Sequence, residues 1–159
     1  MKQITEQEAY LRLAALCAQA EHCQYEMQEK MRRWELSKEA QARVMQRLVT
    51  ERYVDDERYA RAFVKDKVRY NKWGRRKVEQ ALWAKHIDED IRQRVLDEVD
   101  DEEYIAVLRP LLQQKRKSTK ANSDYELNGK LIKIAMSRGF TMDIIKQCIN
   151  VTDEDEFLD

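Results

Sequence analysis

The residues best equipped for chemistry lie in "YNKWGRRKVEQALWAKHI", Tyr70 to Ile87, where Lys72, Arg75, Arg76, Lys77, Lys85 and His86 surround a lone glycine and two tryptophans. Just upstream, Arg58, Arg61, Lys65, Arg69 and Lys72 recur every three or four residues, which aligns them along one side of a helix. From Arg58 to Lys85 there are ten Lys or Arg against Asp66 and Glu79, a local charge of +8. An ordinary solvated face mixes both signs, so this imbalance suits a docking strip for a polyanion, either acidic protein or phosphate. Arg75, Arg76 and Lys77 fall at a predicted helix N-terminus, where the dipole disfavours cations and an anionic partner would offset the repulsion. Trp73 has two readings: an exposed ring stacks on a base or fills a partner's pocket, whereas a buried one plugs the gap between helices, the commoner fate of Trp. Gly74 reads as a turn residue whose backbone conformation is closed to other residues.

Other candidate chemistry is thinner. His22 and Cys23, with Cys17 nearby, invite a zinc reading, but tetrahedral closure would have to recruit His86 or Cys148 from distant segments. Cys17 and Cys148 read instead as small apolar residues of inner helix faces, so neither metal nor cofactor is expected. Asp55 with Asp56, and Asp100 with Asp101, look like helix starts, since no nucleophile, histidine or glycine-rich loop accompanies them, and an enzyme is not expected. Three cysteines without a CxxC, no apolar run near the roughly 20 residues of a membrane span, and an N-terminus without a signal-peptide pattern lead to the expectation of a cytoplasmic protein, and a monomer is expected.

The elements that position these residues follow from composition. The 159 residues include three glycines and one proline, with 38% charged and 43% hydrophobic residues. Little is left for turns of hairpins, and both classes must be sorted onto opposite faces of amphipathic helices. The fold class is therefore all-α.

The chain also repeats itself. The segments "EMQEKMRRWELSKEAQARVM", "KVEQALWAKHIDEDIRQRVL" and "NGKLIKIAMSRGFTMDIIKQCI" align when Leu36 is set against Ile87 and Phe140, at offsets of 51 and 53 residues. Met31, Leu82 and Ala135 then coincide before the junction, and Val44, Val95 and Cys148 after it. Ser37, Asp88 and Thr141 stand at the N-cap of the next helix each time. A second signature opens the following unit: "VDDERYA", "DDEEYIA" and, near the C-terminus, "DEDEFL", with Tyr59, Tyr104 and Phe157 turned inward. These alignments predict tandem three-helix repeats at 1–53, 54–99 and 100–159, the last with an acidic C-terminal tail. In the first, Thr5 and Glu8 form a capping box, and the core takes Ala9, Leu13, Leu16, Cys17 and Ala20, then Met27, Met31 and Trp34, then Ala40, Val44 and Leu48. Ser123 and Glu126 form a second box after the polar loop "KRKSTKANSD". Pro110 either kinks its helix or breaks it.

The stretch "YVDDERYARAFVKDKVRYNKWGRRKVEQALWAKHI" resembles the central signature of the RecX family of bacterial recombinase regulators, through Tyr53, Asp55, Asp56, Arg58, Tyr59, Ala60, Gly74, Arg76, Val78, Leu82, Lys85 and Ile87. "SRGF", Ser137 to Phe140, is similar to that family's third-repeat ending. Glu35 and His86 depart from the pattern, standing where the family usually has glycine, so these turns are expected to hold a side-chain-bearing residue at φ above zero. The resemblance implies repeats stacked into an elongated, curved body without enzymatic activity, which binds the RecA recombinase filament on single-stranded DNA. It also implies that the protein inhibits RecA's ATPase and strand exchange and promotes filament disassembly. The candidate contact residues are Arg58, Arg61, Lys65, Arg69, Lys72, Trp73, Arg75, Arg76, Lys77 and Lys85. Direct contact with single-stranded DNA stays open, and the alternative is a stand-alone single-stranded nucleic-acid-binding module that stacks bases on Tyr70 and Trp73.

Overall fold

The computed structural model describes residues 3–149; Asn150 to Asp159, including Phe157 and the "DEDEFL" signature, lie outside the described residues. Among the described residues there are nine helices and no strand: α1 (Glu6–Gln19), α2 (Gln24–Arg33), α3 (Lys38–Thr50), α4 (Asp56–Arg69), α5 (Arg75–Ala84), α6 (Glu89–Asp97), α7 (Asp101–Ser118), α8 (Asp124–Ser137) and α9 (Met142–Cys148).

The helix starts follow local chemistry. Thr5 Oγ1 accepts from the Glu8 amide, Ser37 Oγ from Ala40, Asp55 Oδ1 from Arg58 and Ser123 Oγ from Glu126, each satisfying a donor the helix cannot. Glu126 reaches back one residue further than a capping box requires, to the Asn122 amide at 2.9 Å. Thr141 sits at the N-cap of α9, but its hydroxyl does not cap; its carbonyl takes the amides of Ile144 and Ile145 instead.

The helix ends reproduce the repeat more faithfully than the starts. After α2, α5 and α8 the chain makes the same Schellman turn: Leu36, Ile87 and Phe140 donate to Met31, Leu82 and Ala135, while Glu35, His86 and Gly139 donate to Arg32, Trp83 and Met136. The residue in the left-handed conformation is Glu35 (φ 58°), His86 (φ 58°) or Gly139 (φ 91°), as expected for the first two positions. A non-glycine residue there costs about 1 kcal/mol. Arg52 (φ 64°) closes α3 by the same pattern.

Helix α7 runs unbroken through Pro110. Pro110 and Ala106, whose carbonyl loses its partner, are both exposed, so water can satisfy the oxygen.

The chain divides into two compact units: the first comprises the chain up to Phe63 with Leu82–Val95, the second Val64–Ala81 with the chain from Leu96. The cut falls inside the three middle helices, so α4, α5 and α6 each belong partly to both. In the first unit α1, α2 and α3 pack around Tyr10, Leu13, Ala14, Met27, Met31, Val44, Leu48 and Val54, with Leu16, Cys17, Trp34 and Leu36 half-buried against them. Most of the expected core is there. Ala20, expected in it, is instead the exposed residue that ends α1, while Tyr10 and Ala14 are buried on a face wider than the one anticipated. In the second unit α7, α8 and α9 pack together. They bury Tyr104, Leu108, Leu112, Leu131, Ile132, Ala135, Phe140 and Ile145, with Tyr104 and Phe140 edge to face at 6.4 Å.

Candidate partner-binding surface

In the second unit the basic residues come from the last turns of α4, the turn that follows and the first turns of α5. Val64, Val68 and Val78 face inward, so Lys65, Arg69 and Arg76 face out. Lys72 lies beyond the end of α4, in a left-handed turn (φ 58°) closed by the Trp73 amide donating to the Lys67 carbonyl. The stripe therefore does not continue along the helix to Lys72; the turn carries that residue. Lys65, Arg69, Lys72 and Arg76 are all exposed and form no ion pair with an acid among the described residues.

Trp73 is half-buried, with the ammonium groups of Lys67 and Lys77 lying 5.3 and 4.8 Å from its ring centroid. Its π surface is occupied by these cations. The fully presented ring of this unit is Tyr70, 72% exposed. Arg75 does not point to solvent as a free cation: Nη2 donates to Asp97 Oδ1 at 2.7 Å, so part of the repulsion at the start of α5 is offset within the unit.

Gly74 has a different role from the one its type suggests, since its φ is not in the left-handed region. It permits a close approach. Its amide donates to the Arg138 carbonyl at 2.8 Å and that of Arg76 to the Gly139 carbonyl at 3.0 Å. A Cβ on Gly74 would lie 2.4 Å from the backbone of Phe140, and one on Gly139 would lie 2.4 Å from the Lys77 amide nitrogen. The first orphan donors of α5 are thus satisfied by the Schellman turn that ends α8.

In the first unit the candidate cations are neutralised. Arg58 lies between the Glu21 carboxylate, at 2.7 Å, and the Arg52 carbonyl. Its pKa is raised by the hydrogen bond to Glu21. Arg61 and Arg94 share Glu57 at 3.0 and 2.6 Å; hydrogen bonds from Arg94 and then Arg61 hold that carboxyl below its ordinary range. Lys85 pairs with Glu26 at 3.1 Å. Trp83 escaped the sequence reading although it is 66% exposed; α5 buries Val78 and Leu82, and that spacing already puts residue 83 off the inner face.

Cys23 is fully buried, and burial pushes its thiol up to about 11. Among the described residues no three His, Cys, Asp or Glu side chains gather as a metal site would require, and no helix is long and apolar enough to cross a membrane.

Comparison with known proteins adds the family. The model of the second three-helix domain of RecX matches residues 55–96, and that of the third matches residues 101–149. The chain belongs to the RecX family. The regulatory protein RecX of Bacillus cytotoxicus is 25% identical over 150 residues, covering 94% of this chain and 56% of that protein. Its counterpart in Lactobacillus delbrueckii subsp. bulgaricus is 30% identical over 135 residues, covering 82% and 50%. The chain thus spans about half the length of these curated relatives. The crystal structure of RecX from Lactobacillus salivarius shares the fold with a TM-score of 0.81 at 19% identity, over 90% of this chain and 93% of that one. A second RecX crystal structure gives 0.82 at 16% identity, over 90% and 70%. The RecX fold is an all-α tandem of three-helix domains, and the described residues have it.

Proposed function

We propose that this RecX-family chain is a non-catalytic, cytoplasmic regulator that binds the RecA filament on single-stranded DNA, inhibits its ATPase and strand exchange, and promotes its disassembly. The observation that carries the reading is the set of exposed cations in the second unit that pair with no acid among the described residues: Lys65, Arg69, Lys72 and Arg76. Other candidate cations, Arg58, Arg61, Arg75 and Lys85, are each matched to an acid. A strip left unmatched has an uncompensated field that an anionic filament surface would satisfy. Trp73 and Lys77 brace the strip, while Arg58, Arg61, Arg75 and Lys85, each already holding an acid, contribute less to binding. Several modest patches engaged at once gain avidity without a deep pocket.

A second reading, a stand-alone single-stranded nucleic-acid binder, is favoured by the 72% exposure of Tyr70 beside the strip, where it could stack a base. Binding of the R69E/K72E/R76E variant and the wild type to bare oligo-dT, to free RecA and to RecA–DNA filaments separates the two. The expected result is loss of filament binding and of RecA inhibition in the variant, with a shallow salt dependence for the wild type. Equal inhibition by variant and wild type would overturn the RecA reading. A steep salt dependence on bare DNA, with no preference for filaments, would favour the second. Arg75 is left out of the variant because Asp97 would face the new carboxylate.

A further inference from the structure

The connection between α7 and α8 carries a second group of cations, in sequence remote from the first strip. Lys115, Arg116 and Lys117 end α7, Lys120 lies in the loop, and Lys130 and Lys133 follow on α8. Cations in the last turn of a helix gain from its dipole, and that suffices to explain the first three. It does not explain Lys120 or Lys133. Lys117, Lys120 and Lys133 are exposed and their ammonium groups have no acid partner among the described residues. Arg116 donates to an amide oxygen, Asn128 Oδ1 at 2.9 Å, so no acid among the described residues pairs with its charge either. Of this group only Lys130 pairs with an acid among the described residues, Glu126 at 3.4 Å.

The loop that carries Lys120 between the two helices is tied down. Lys130 Nζ donates to the Lys120 carbonyl at 2.6 Å, Glu126 Oε2 accepts from the Asn122 amide at 2.9 Å, and Ser123 Oγ accepts from the Glu126 amide at 3.1 Å. Preorganised cations lose less entropy on binding than cations on a floppy segment. Tyr125, 47% exposed, lies in the first turn of α8, where the loop enters that helix. Asp124 is the one exposed acid in that turn. Cations carried on two helices and a held loop, with one presented aromatic ring, suit a chain of regularly spaced phosphates bearing stackable bases better than they suit an acidic peptide.

We propose that the α7–α8 junction is a separate binding surface for single-stranded nucleic acid, with Lys117, Lys120 and Lys133 contacting phosphates and Tyr125 stacking on a base. The surface works whether or not the first strip binds RecA, and the test needs neither RecA nor a filament. Fluorescein-labelled oligo-dT is titrated with wild type, K117E/K120E/K133E and Y125A, and K117E/K120E/K133E is also made in the R69E/K72E/R76E background. Circular dichroism and thermal melting check that all variants fold.

Reversal of the three lysines should weaken oligo-dT binding at least tenfold in both backgrounds, and should lower the slope of log affinity against log salt by about two, since each single-strand phosphate contact contributes about 0.7. Y125A should weaken binding about fivefold or more without changing that slope, because stacking on one ring is worth about 1–3 kcal/mol and releases no counterion. A wild type that fails to bind the oligonucleotide overturns the proposal. So does an unchanged affinity and slope in the lysine variant, or a lysine-dependent affinity for polyglutamate that equals that for oligo-dT.

Discussion

Two turns in this chain occupy the same repeat position and are built differently. In the first unit, the segment that opens α2 at Cys23 meets the turn after α5, at Lys85 and His86. In the second, the segment that opens α5 at Gly74 meets the turn after α8, at Arg138 to Phe140. Cys23 and Gly74 are 51 residues apart, the repeat offset itself. The second junction is made of backbone: two amides on two carbonyls, with glycines on both sides. The first is made of side chains. Asp56 Oδ1 accepts from the Gln24 amide at 2.8 Å, Glu26 reaches the Cys23 amide at 3.2 Å and the Lys85 ammonium at 3.1 Å, and Tyr25 stacks on His86 at 4.1 Å between centroids. With a Cβ at Cys23 and at His86 the backbones cannot approach as they do at Gly74 and Gly139. Carboxylates then supply the acceptors that carbonyls supply in the other unit. One repeat geometry thus tolerates either a pair of glycines or a set of charged and aromatic side chains, and the two should fail in different ways.

The largest effect is expected at the glycines. Gly74→Ala and Gly139→Ala place a Cβ 2.4 Å from backbone atoms that cannot move aside, and should each cost about 3 kcal/mol or more. Cys23→Ala, which only removes a buried sulfur, should cost about 1–2 kcal/mol. Urea denaturation measures both, with hydrogen exchange at the Gly74 and Arg76 amides assigning the loss to the second unit. A Gly74→Ala protein with a wild-type midpoint would break the comparison.

Next come the matched positions Lys85 and Arg138. Lys85→Met leaves Glu26 half-buried without its ammonium and should cost about 1 kcal/mol. Arg138→Met loses only a 3.5 Å contact to the Asn71 carbonyl and should stay within about 0.5 kcal/mol of wild type. Thermal melting of the two variants side by side sharpens the contrast. Equal shifts would mean that the salt bridge adds nothing.

A smaller effect of opposite sign is expected at the left-handed positions. Glu35→Gly removes backbone strain from an exposed residue and should stabilise by about 0.5–1 kcal/mol. His86→Gly removes the same strain but also the Tyr25 stack, worth about 0.5–1.5 kcal/mol, and should come out near zero. A melting temperature raised equally by both would show the stack to be idle.

The smallest effect concerns pH. Burial pushes the Glu26 carboxyl up, but the Cys23 amide and the Lys85 ammonium outweigh it and hold the folded value below the ordinary 4.5. A lowered carboxyl contributes stability above its unfolded value that is lost as pH falls through the folded one. Asp56 acts in the other sense: burial raises it, so its contribution is present below its ordinary 3.8 and lost as pH rises through the folded value. Glu26→Gln should therefore flatten the acid loss below about pH 4.5 in the first unit, and hydrogen exchange of α2 at pH 4 and 6 checks it. An acid limb of unchanged steepness would assign that loss to other carboxyls.

Much of this was legible in the sequence. Period and composition suffice for helices, because charged and apolar residues can share a segment only by facing opposite ways; Met27, Met31, Val44 and Leu48 are buried where the spacing puts them. The repeat, the aligned helix ends and the need for a left-handed Glu35 and His86 were also local facts, since a Schellman turn is closed by residues within one stretch of chain. What local chemistry could not reach was every contact made by residues far apart in sequence. Gly74 read as a turn residue because its type says flexibility, whereas Phe140, 66 positions later, is what excludes a side chain there. Arg75 read as a free cation because Asp97 is 22 residues away. Arg58 read as part of a uniform stripe because Glu21 lies 37 residues upstream. Spacing assigns a side chain to a face of its helix. Whether a charge on that face is spent on an acid or left for a partner is decided by what folding brings opposite it.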